Sequence, residues 1–326
     1  MQNAFFLTNW ILLGMRWLYE NVTAESAVMT ILISTAVIRG LTVFGDIKSR
    51  RSNMKMQAIQ PEINKLQKKY KNNPQKMQQE QKKLMSESGT SMLGGCLPML
   101  ITMPLFFCFI AAFRYWGYEM MIRLLLELNE TGTSELFESF RFLWVTNIWQ
   151  PDVGHKGVMM AAEEFLAIPD LRNLIYFREN PAALAAFEKL GFLVADPKNI
   201  PQAAIDTYNQ IVAPIVTRYT GYANGWYAFP LIAGGTMFLS SWQMQRQQAA
   251  PPSAAPADPN APSTAGMSKM MMYMFPVMSV VFCLSSNTAF AVYWTISSVL
   301  SIITNYFINK KLNKERPVPE DKGANE

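Results

Sequence analysis

Arg39 is where chemistry is most tightly constrained in this sequence. It lies in AVMTILISTAVIRGLTVF, residues 27–44, as the single charge in a run that otherwise reads as a membrane span. A charge near the centre of a bilayer costs at least about 2.5–3.5 kcal/mol, so something must offset it. The apolar runs 27–45, 93–113, 226–242, 271–285 and 289–308 contain no Asp or Glu, so no acidic partner is available within them. Three arrangements would satisfy the guanidinium, and the sequence leaves all three open. It could snorkel to the cytoplasmic end near Gly45, about 9 Å along the helix. It could face a water-filled cavity between helices, or its partner could arrive with a substrate.

Other polar residues bear on that choice. Ser34, Thr35, Thr102, Ser297, Ser298, Thr304 and Asn305 are scattered through the same runs, and Trp294 sits inside the last. Hydroxyls and amides of this kind would keep a groove hydrated. Taken singly, each is better explained as bonding a carbonyl of its own helix or as a small contact between helices. The 22 methionines include the cluster MSKMMMYMFPVM, residues 267–278. Their side chains suit a surface that accepts varied apolar partners, and they also fill gaps between helices.

The remaining chemistry is sparse. Cys96, Cys108 and Cys283 all fall in apolar runs and form neither a CxxC metal signature nor a disulfide framework. His155 stands alone in a loop. There is no metal-ligand pattern and no GxxxxGK[ST] nucleotide loop, so the reading has no cofactor and no bond-making step.

These residues must be held by helices. Of 326 residues, half are hydrophobic and 16% charged, and mean hydropathy is just above zero at +0.06. A helix of ~20 residues spans the ~30 Å hydrocarbon core. The sequence therefore predicts an all-α polytopic membrane protein with spans at 25–46, 93–114, 226–242, 271–285 and 288–308. The third and fourth are short, which implies a locally thinned membrane or flanks that continue the helix. Residues 1–24 lack a secretory signal pattern. Their aromatic and aliphatic run, with Asn9, Arg16 and two tryptophans suited to headgroup depth, reads as an interfacial helix. A sixth span is the alternative.

Charge sets the orientation. Residues 46–91 hold eleven Lys/Arg against four Asp/Glu, whereas 115–225 hold eight against thirteen, and the tail 309–326 begins NKKLNKER. Positive charge beside spans marks the cytoplasmic side, so 47–92 and the tail are cytoplasmic, 115–225 is outside, and the N-terminus is outside. Within 47–92, Met56, Ile59, Ile63, Leu66 and Tyr70 recur at helical spacing. Asn73 and Pro74 then open a second helix carrying Met77, Gln81 and Leu84 on one face. The product is a basic hairpin bearing Lys55, Lys65, Lys68, Lys69, Lys82 and Lys83, suited to anionic lipid or to a docking partner. Residues 243–270 are rich in Pro, Ala and Ser and read as a flexible cytoplasmic linker. The outer segment reads as a helical lid. Asn180 caps one of its helices and Gly191 closes it; another spans 201–219, interrupted at Pro214.

The motif order carries a resemblance. VIRG, then MQAIQPEINKLQKKYKNNPQK, LGGCLPMLITMPLFF and the closing AVYWTISSVLSIITNYFINKKL resemble the YidC/Oxa/Alb family of membrane protein insertases over most of 4–115 and 226–312. The likeness is to bacterial members without a large extracytoplasmic domain before the first core span. It implies a five-transmembrane-helix insertase core with a hydrophilic groove open to the cytoplasm and lipid, in a bacterial plasma (inner) membrane. The family's groove arginine falls on Arg39 and an aromatic of its last span on Trp294. Its substrate-recruiting hairpin falls on 50–90. The implied partners are nascent membrane proteins, with the ribosome, the Sec translocon, signal recognition machinery and anionic lipids. The chain departs from the family at Thr102, where many members have Gln, at SMLGG, and at SSNTAF; residues 155–222 look inserted. A small-solute or anion transporter is the competing class, although the chain shows no internal repeat and no acidic coupling residue in a span. A scaffold that presents the hairpin is a third.

Overall fold

The computed structural model describes residues 6–70, 73–89, 97–133, 135–247 and 264–314. Twelve α-helices follow in order: α1 Phe6–Asn21, α2 Ala27–Lys69, α3 Pro74–Glu87, α4 Leu97–Thr131, α5 Glu135–Glu138, α6 Ala162–Leu166, α7 Ile175–Glu179, α8 Pro181–Lys189, α9 Gln202–Arg218, α10 Ala228–Gln247, α11 Thr264–Ser285 and α12 Thr288–Lys314. No strand occurs among the described residues, only an isolated bridge between Phe142 and Val145. The fold class is all-α, as hydropathy and periodicity predict.

Among the described residues, three helical segments are long and apolar enough to cross a bilayer: Ala27–Ser52, Pro104–Thr131 and Thr288–Lys311. Met272–Ser285 is apolar but shorter, and the helix that contains it continues back to Thr264. Flanking helix therefore lengthens the short fourth run. α10 reaches 20 residues but ends in the polar sequence QMQRQ. α2 passes unbroken from its apolar first half into its basic second half, through Pro61.

The chain divides into two compact units. The first comprises Met1–Thr35, Thr102–Met237 and Met274–Ile296. Its core is the buried face of α4, from Cys108 and Phe109 through Trp116, Met120 and Leu124 to Leu128, with Leu12, Met15 and Tyr19 of α1 also buried. Tyr19 meets Trp116 edge-on, 5.7 Å between centroids, and Trp116 meets Trp149 at 4.9 Å.

Residues 147–152 tie this unit together. Asp152 is fully buried, and its carboxylate accepts from the backbone N–H groups of Trp226 (2.6 Å), Tyr227 (3.1 Å) and Phe229 (2.6 Å) and from Trp144 Nε1 (3.1 Å). Three of those donors lie at the start of α10, where backbone N–H groups lack helical acceptors and the helix dipole favours a negative charge. Asn224 interlocks with the same loop, donating to the Asn147 and Pro151 carbonyls and accepting from the Asn147 N–H. The start of α12 is pinned likewise: Thr288 N–H and Oγ1 donate to the Gln150 carbonyl and Ala289 N–H donates to Ile148.

The segment that looked inserted has a core of its own. Phe165, Phe177, Phe187, Phe192 and Tyr208 are buried together, with Phe177–Phe187 at 5.1 Å and Phe187–Phe192 at 5.4 Å. Gly191, at φ +74, follows α8 in the left-handed conformation that suits glycine. Two local expectations are corrected. Asn180 precedes α8 but does not cap it with its side chain, which instead donates back to the Tyr176 carbonyl. α9 continues through Pro214: that residue and Gln210, whose carbonyl loses its helical donor, are both exposed, so water can satisfy the freed group.

The second unit comprises Ala36–Ile101, Phe238–Tyr273 and Ser297–Glu326. Asn73 Oδ1 accepts from Lys76 N–H and Pro74 opens α3. Ile63 of α2 and Met85 of α3 are buried. The Lys69 and Lys76 ammonium groups each lie 5.5 Å from the Tyr70 ring centroid. The side chains of Met56 and Thr102, Cys96, and linker residues 248–263 lie outside the described residues.

Gly225 tests the Asp152 knot. A Cβ there would lie 1.9 Å from Asp152 Oδ1 and 3.0 Å from its Cα, so Gly225→Ala has to displace the carboxylate from its donors. Overpacking of this kind costs about 1–3 kcal/mol, and thermal unfolding in detergent should show a clear loss. Gly235→Ala, with nothing within 4 Å of the added Cβ, should leave the transition unchanged or raise it.

Candidate functional site

Arg39 is half-buried on α2 and its Nε donates to Ser297 Oγ of α12 at 2.8 Å. Both residues belong to the second unit. No carboxylate lies within ion-pair distance of Arg39 among the described residues, and its two terminal nitrogens have no acceptor among them. The guanidinium is thus oriented by a neutral hydroxyl, and the Asp46 carboxylate attracts it from beyond ion-pair distance. Ser297, Ser298, Ser301 and Asn305 follow at spacings that put them on one face of α12, and Ser297, Ser298 and Asn305 are buried.

More polar atoms of this unit lack protein partners. Gln243 Nε2 donates to the Ile302 carbonyl at 3.4 Å, but its Oε1 is buried without a partner, and so is Asn309 Nδ2. An unpaired buried polar group is costly, so this interior suits water or a polar guest better than a dry core.

The other expected groove residues are placed differently. Thr35 is fully buried and its Oγ1 donates to the Ile31 carbonyl of its own helix, as does Ser34. Trp294, in the first unit, donates from Nε1 to Ser279 Oγ and packs against Phe106 at 4.8 Å and Phe290 at 6.0 Å. Ser298 shares the α12 face with Ser297. The hairpin lysines Lys55, Lys65, Lys68, Lys69, Lys82 and Lys83 are all exposed.

A second charged cluster escaped the sequence reading. Glu119 of α4, 3% exposed, lies 3.3 Å from Arg16 Nε and 2.7 Å from Arg123 Nη2. Arg16 also pairs with Glu179 of α7 at 2.7 Å, and Arg123 with Glu20 of α1 at 3.1 Å. Arg16 is packed in protein, joining α1 to α4 and to the inserted segment. Only the Glu119–Arg123 spacing of four residues is visible locally. Burial, with the Glu25 carboxylate as the next cause, pushes the nearby Tyr19 hydroxyl up to about 12.

The chain matches the model of the family described as 60Kd inner membrane protein over residues 17–315. It belongs to this family. The family is the YidC/Oxa/Alb group that the motif order resembles, so the protein is a membrane protein. Its relatives include the proteins named Membrane protein insertase YidC of Clostridium perfringens (strain 13 / Type A), 43% identical over 125 residues, and of Chlorobium phaeovibrioides (strain DSM 265 / 1930), 26% identical over 281 residues. The first alignment covers 38% of this chain and 45% of the relative; the second covers 86% and 33%. That of Chloroherpeton thalassium (strain ATCC 35110 / GB-78) is 26% identical over 93% of this chain and 36% of its own length. The matched stretches thus span less than half of each relative.

Two outcomes follow from the cluster. Arg16→Ala strips Glu119 of one of its two cations. Breaking a buried pair costs about 3–5 kcal/mol, and Arg123 retains part of that, so thermal unfolding should show a loss near the lower figure. Tyr19 makes its contribution in full below pH 10, the value in an unfolded chain, and loses it as pH rises towards about 12. Stability measured from pH 9 to 12 should therefore fall, and Tyr19→Phe should flatten the fall in part, because burial also raises Tyr176 and Tyr208.

Proposed function

We propose that the protein is a membrane protein insertase that moves nascent membrane proteins from the cytoplasm into the bilayer. Family membership supports the class, and one observation supports the mechanism: the Arg39 guanidinium, oriented by Ser297 and not neutralised. In this reading five spans run N-out and C-in, the 47–92 hairpin and the 309–326 tail are cytoplasmic, and 115–225 is extracytoplasmic. The exposed lysines of the hairpin meet the arriving ribosome–nascent chain complex or anionic lipid.

The physical steps use this chain's own residues. The polar tail of a substrate enters beside the α12 face of Ser297, Ser298, Ser301 and Asn305, where hydroxyls and amides replace part of its hydration. Arg39 attracts tail carboxylates in a medium where charges interact more strongly than in water, which lowers their desolvation cost. The apolar segment of the substrate then moves into lipid, gaining roughly 25 cal/mol per Å² of apolar surface removed from water. That partition, with the membrane potential, drives the process; no bond is made or broken.

The test is insertion of a single-span substrate with an acidic N-terminal tail into proteoliposomes, scored by protease protection. Arg39→Ala should lower insertion about tenfold or more, the equivalent of a charge-assisted hydrogen bond worth about 1.5–3 kcal/mol, and Arg39→Lys should restore part of it. Ser297→Asp, which would neutralise Arg39 in place, should resemble Arg39→Ala. Equal insertion by all four chains, each checked for folding, overturns the role of the charge; no insertion by the native chain overturns the proposal.

A further inference from the structure

We infer that the turn at Leu143 and the adjacent Trp226 form a rigid wedge that inserts into the outer leaflet, so that the extracytoplasmic segment binds phospholipid directly beside α10. The inference rests on the proposed topology, in which α10 enters the membrane from the outer side.

Leu143 is 71% exposed and Trp226 75%. Neither is on a slack loop. Phe142 and Val145 exchange two backbone hydrogen bonds of 3.0 Å across the turn. Trp144 stacks on Phe229 of α10 at 4.5 Å and donates from Nε1 to Asp152. Phe142 stacks on the same Phe229 at 5.9 Å. Trp226 is tethered by its N–H to Asp152 at 2.6 Å. One buried carboxylate therefore fixes both exposed apolar side chains and the first turn of α10.

Leu143 is held at φ +54, a left-handed conformation unfavourable to a branched side chain, where glycine or asparagine is usual. A strained backbone that presents a large apolar group outward gains nothing in water. In the acyl region the same group is well placed, and tryptophan favours the membrane interface. α10, which begins two residues after Trp226, also exposes apolar side chains: Leu231 is 64% exposed and Ile232 is exposed as well. Charge agrees with a phospholipid surface: Arg141, two residues before Leu143, and Arg218 share the single carboxylate of Glu138, at 3.7 and 2.7 Å. One positive charge of the trio is left for lipid phosphate.

Nitroxide labels at Leu143→Cys, Trp226→Cys, Leu231→Cys and, as an aqueous reference, Lys198→Cys would be read in the full chain in proteoliposomes of phosphatidylethanolamine and phosphatidylglycerol, comparing collisions with oxygen and with a water-soluble nickel chelate. The unmutated chain controls for labelling of its own cysteines. The expected result is an oxygen-to-nickel ratio at 143, 226 and 231 severalfold above that at 198. Lipid-like behaviour at 231 with water-like behaviour at 143 and 226 overturns the wedge and leaves the α10 span standing. Water-like behaviour at all three overturns the span and the wedge together. Protection of 143 and 226 from both reagents overturns the wedge in favour of cover by a second copy. Cross-linking of the native chain by a phospholipid with a diazirine in its acyl chain should place adducts on 142–145 and 225–227. This second measurement decides the matter if a labelled variant does not reconstitute, and absence of adducts there, with adducts on α10, overturns the wedge.

Discussion

A charge or polar group withdrawn from water has to be met by something, and this chain meets that constraint in three ways. Asp152 is met by four N–H donors, Glu119 by two guanidinium groups, and Arg39 by one hydroxyl. The first two are over-determined. Each draws on separate stretches of chain, and removing one contact leaves a buried charge under-compensated, which makes such sites structural fixtures. Asp152 sets where α10 begins and holds the turn packed against it. Glu119 fastens α1 and, through Arg16, the inserted segment to α4.

Arg39 is the exception. A single neutral acceptor restrains the direction of the guanidinium without cancelling its charge, and Gln243 Oε1 and Asn309 Nδ2 of the same unit are also left without protein partners. Water or another polar group would close these gaps, since buried polar groups are almost always paired. Gln243 and Asn309 belong to the unit that contains the α12 serine face, and groups left unpaired there suit an interior wetted by solvent.

The parts legible in the sequence are those with local signatures. Apolar length predicts the long spans, Asn73 with Pro74 predicts the start of α3, and Gly191 predicts the end of α8. The residue type of Arg39 and its isolation mark it without any partner being known. What escaped is non-local. Ser297 is 258 positions from Arg39 and Asn224 is 77 from Asn147, and nothing in the spacing of either pair announces it. The partner of Arg16 was not legible either, because Glu119 lies 103 residues on and nothing local brings the two together. Thr35 shows the opposite failure: its place near Arg39 suggested a groove, whereas its hydroxyl is spent on the carbonyl one turn back. A threonine four residues after an available carbonyl always has that choice.

The chemistry of Ser297 follows from the same reasoning. A carboxylate at that position would hold Arg39 more strongly, and it would also remove the free charge on which the role proposed for the arginine depends. Two opposite charges in a weakly polar interior form a closed pair, and an incoming acidic tail would have to break it at a cost of several kcal/mol. A serine accepts one bond from Nε and leaves the two terminal nitrogens without an acceptor among the described residues, a fork suited to a carboxylate. Orientation is retained and the field is not spent. The cost is an under-compensated cation in a span, which plain stability would select against. That cost is intelligible when part of the compensation is supplied by whatever passes through.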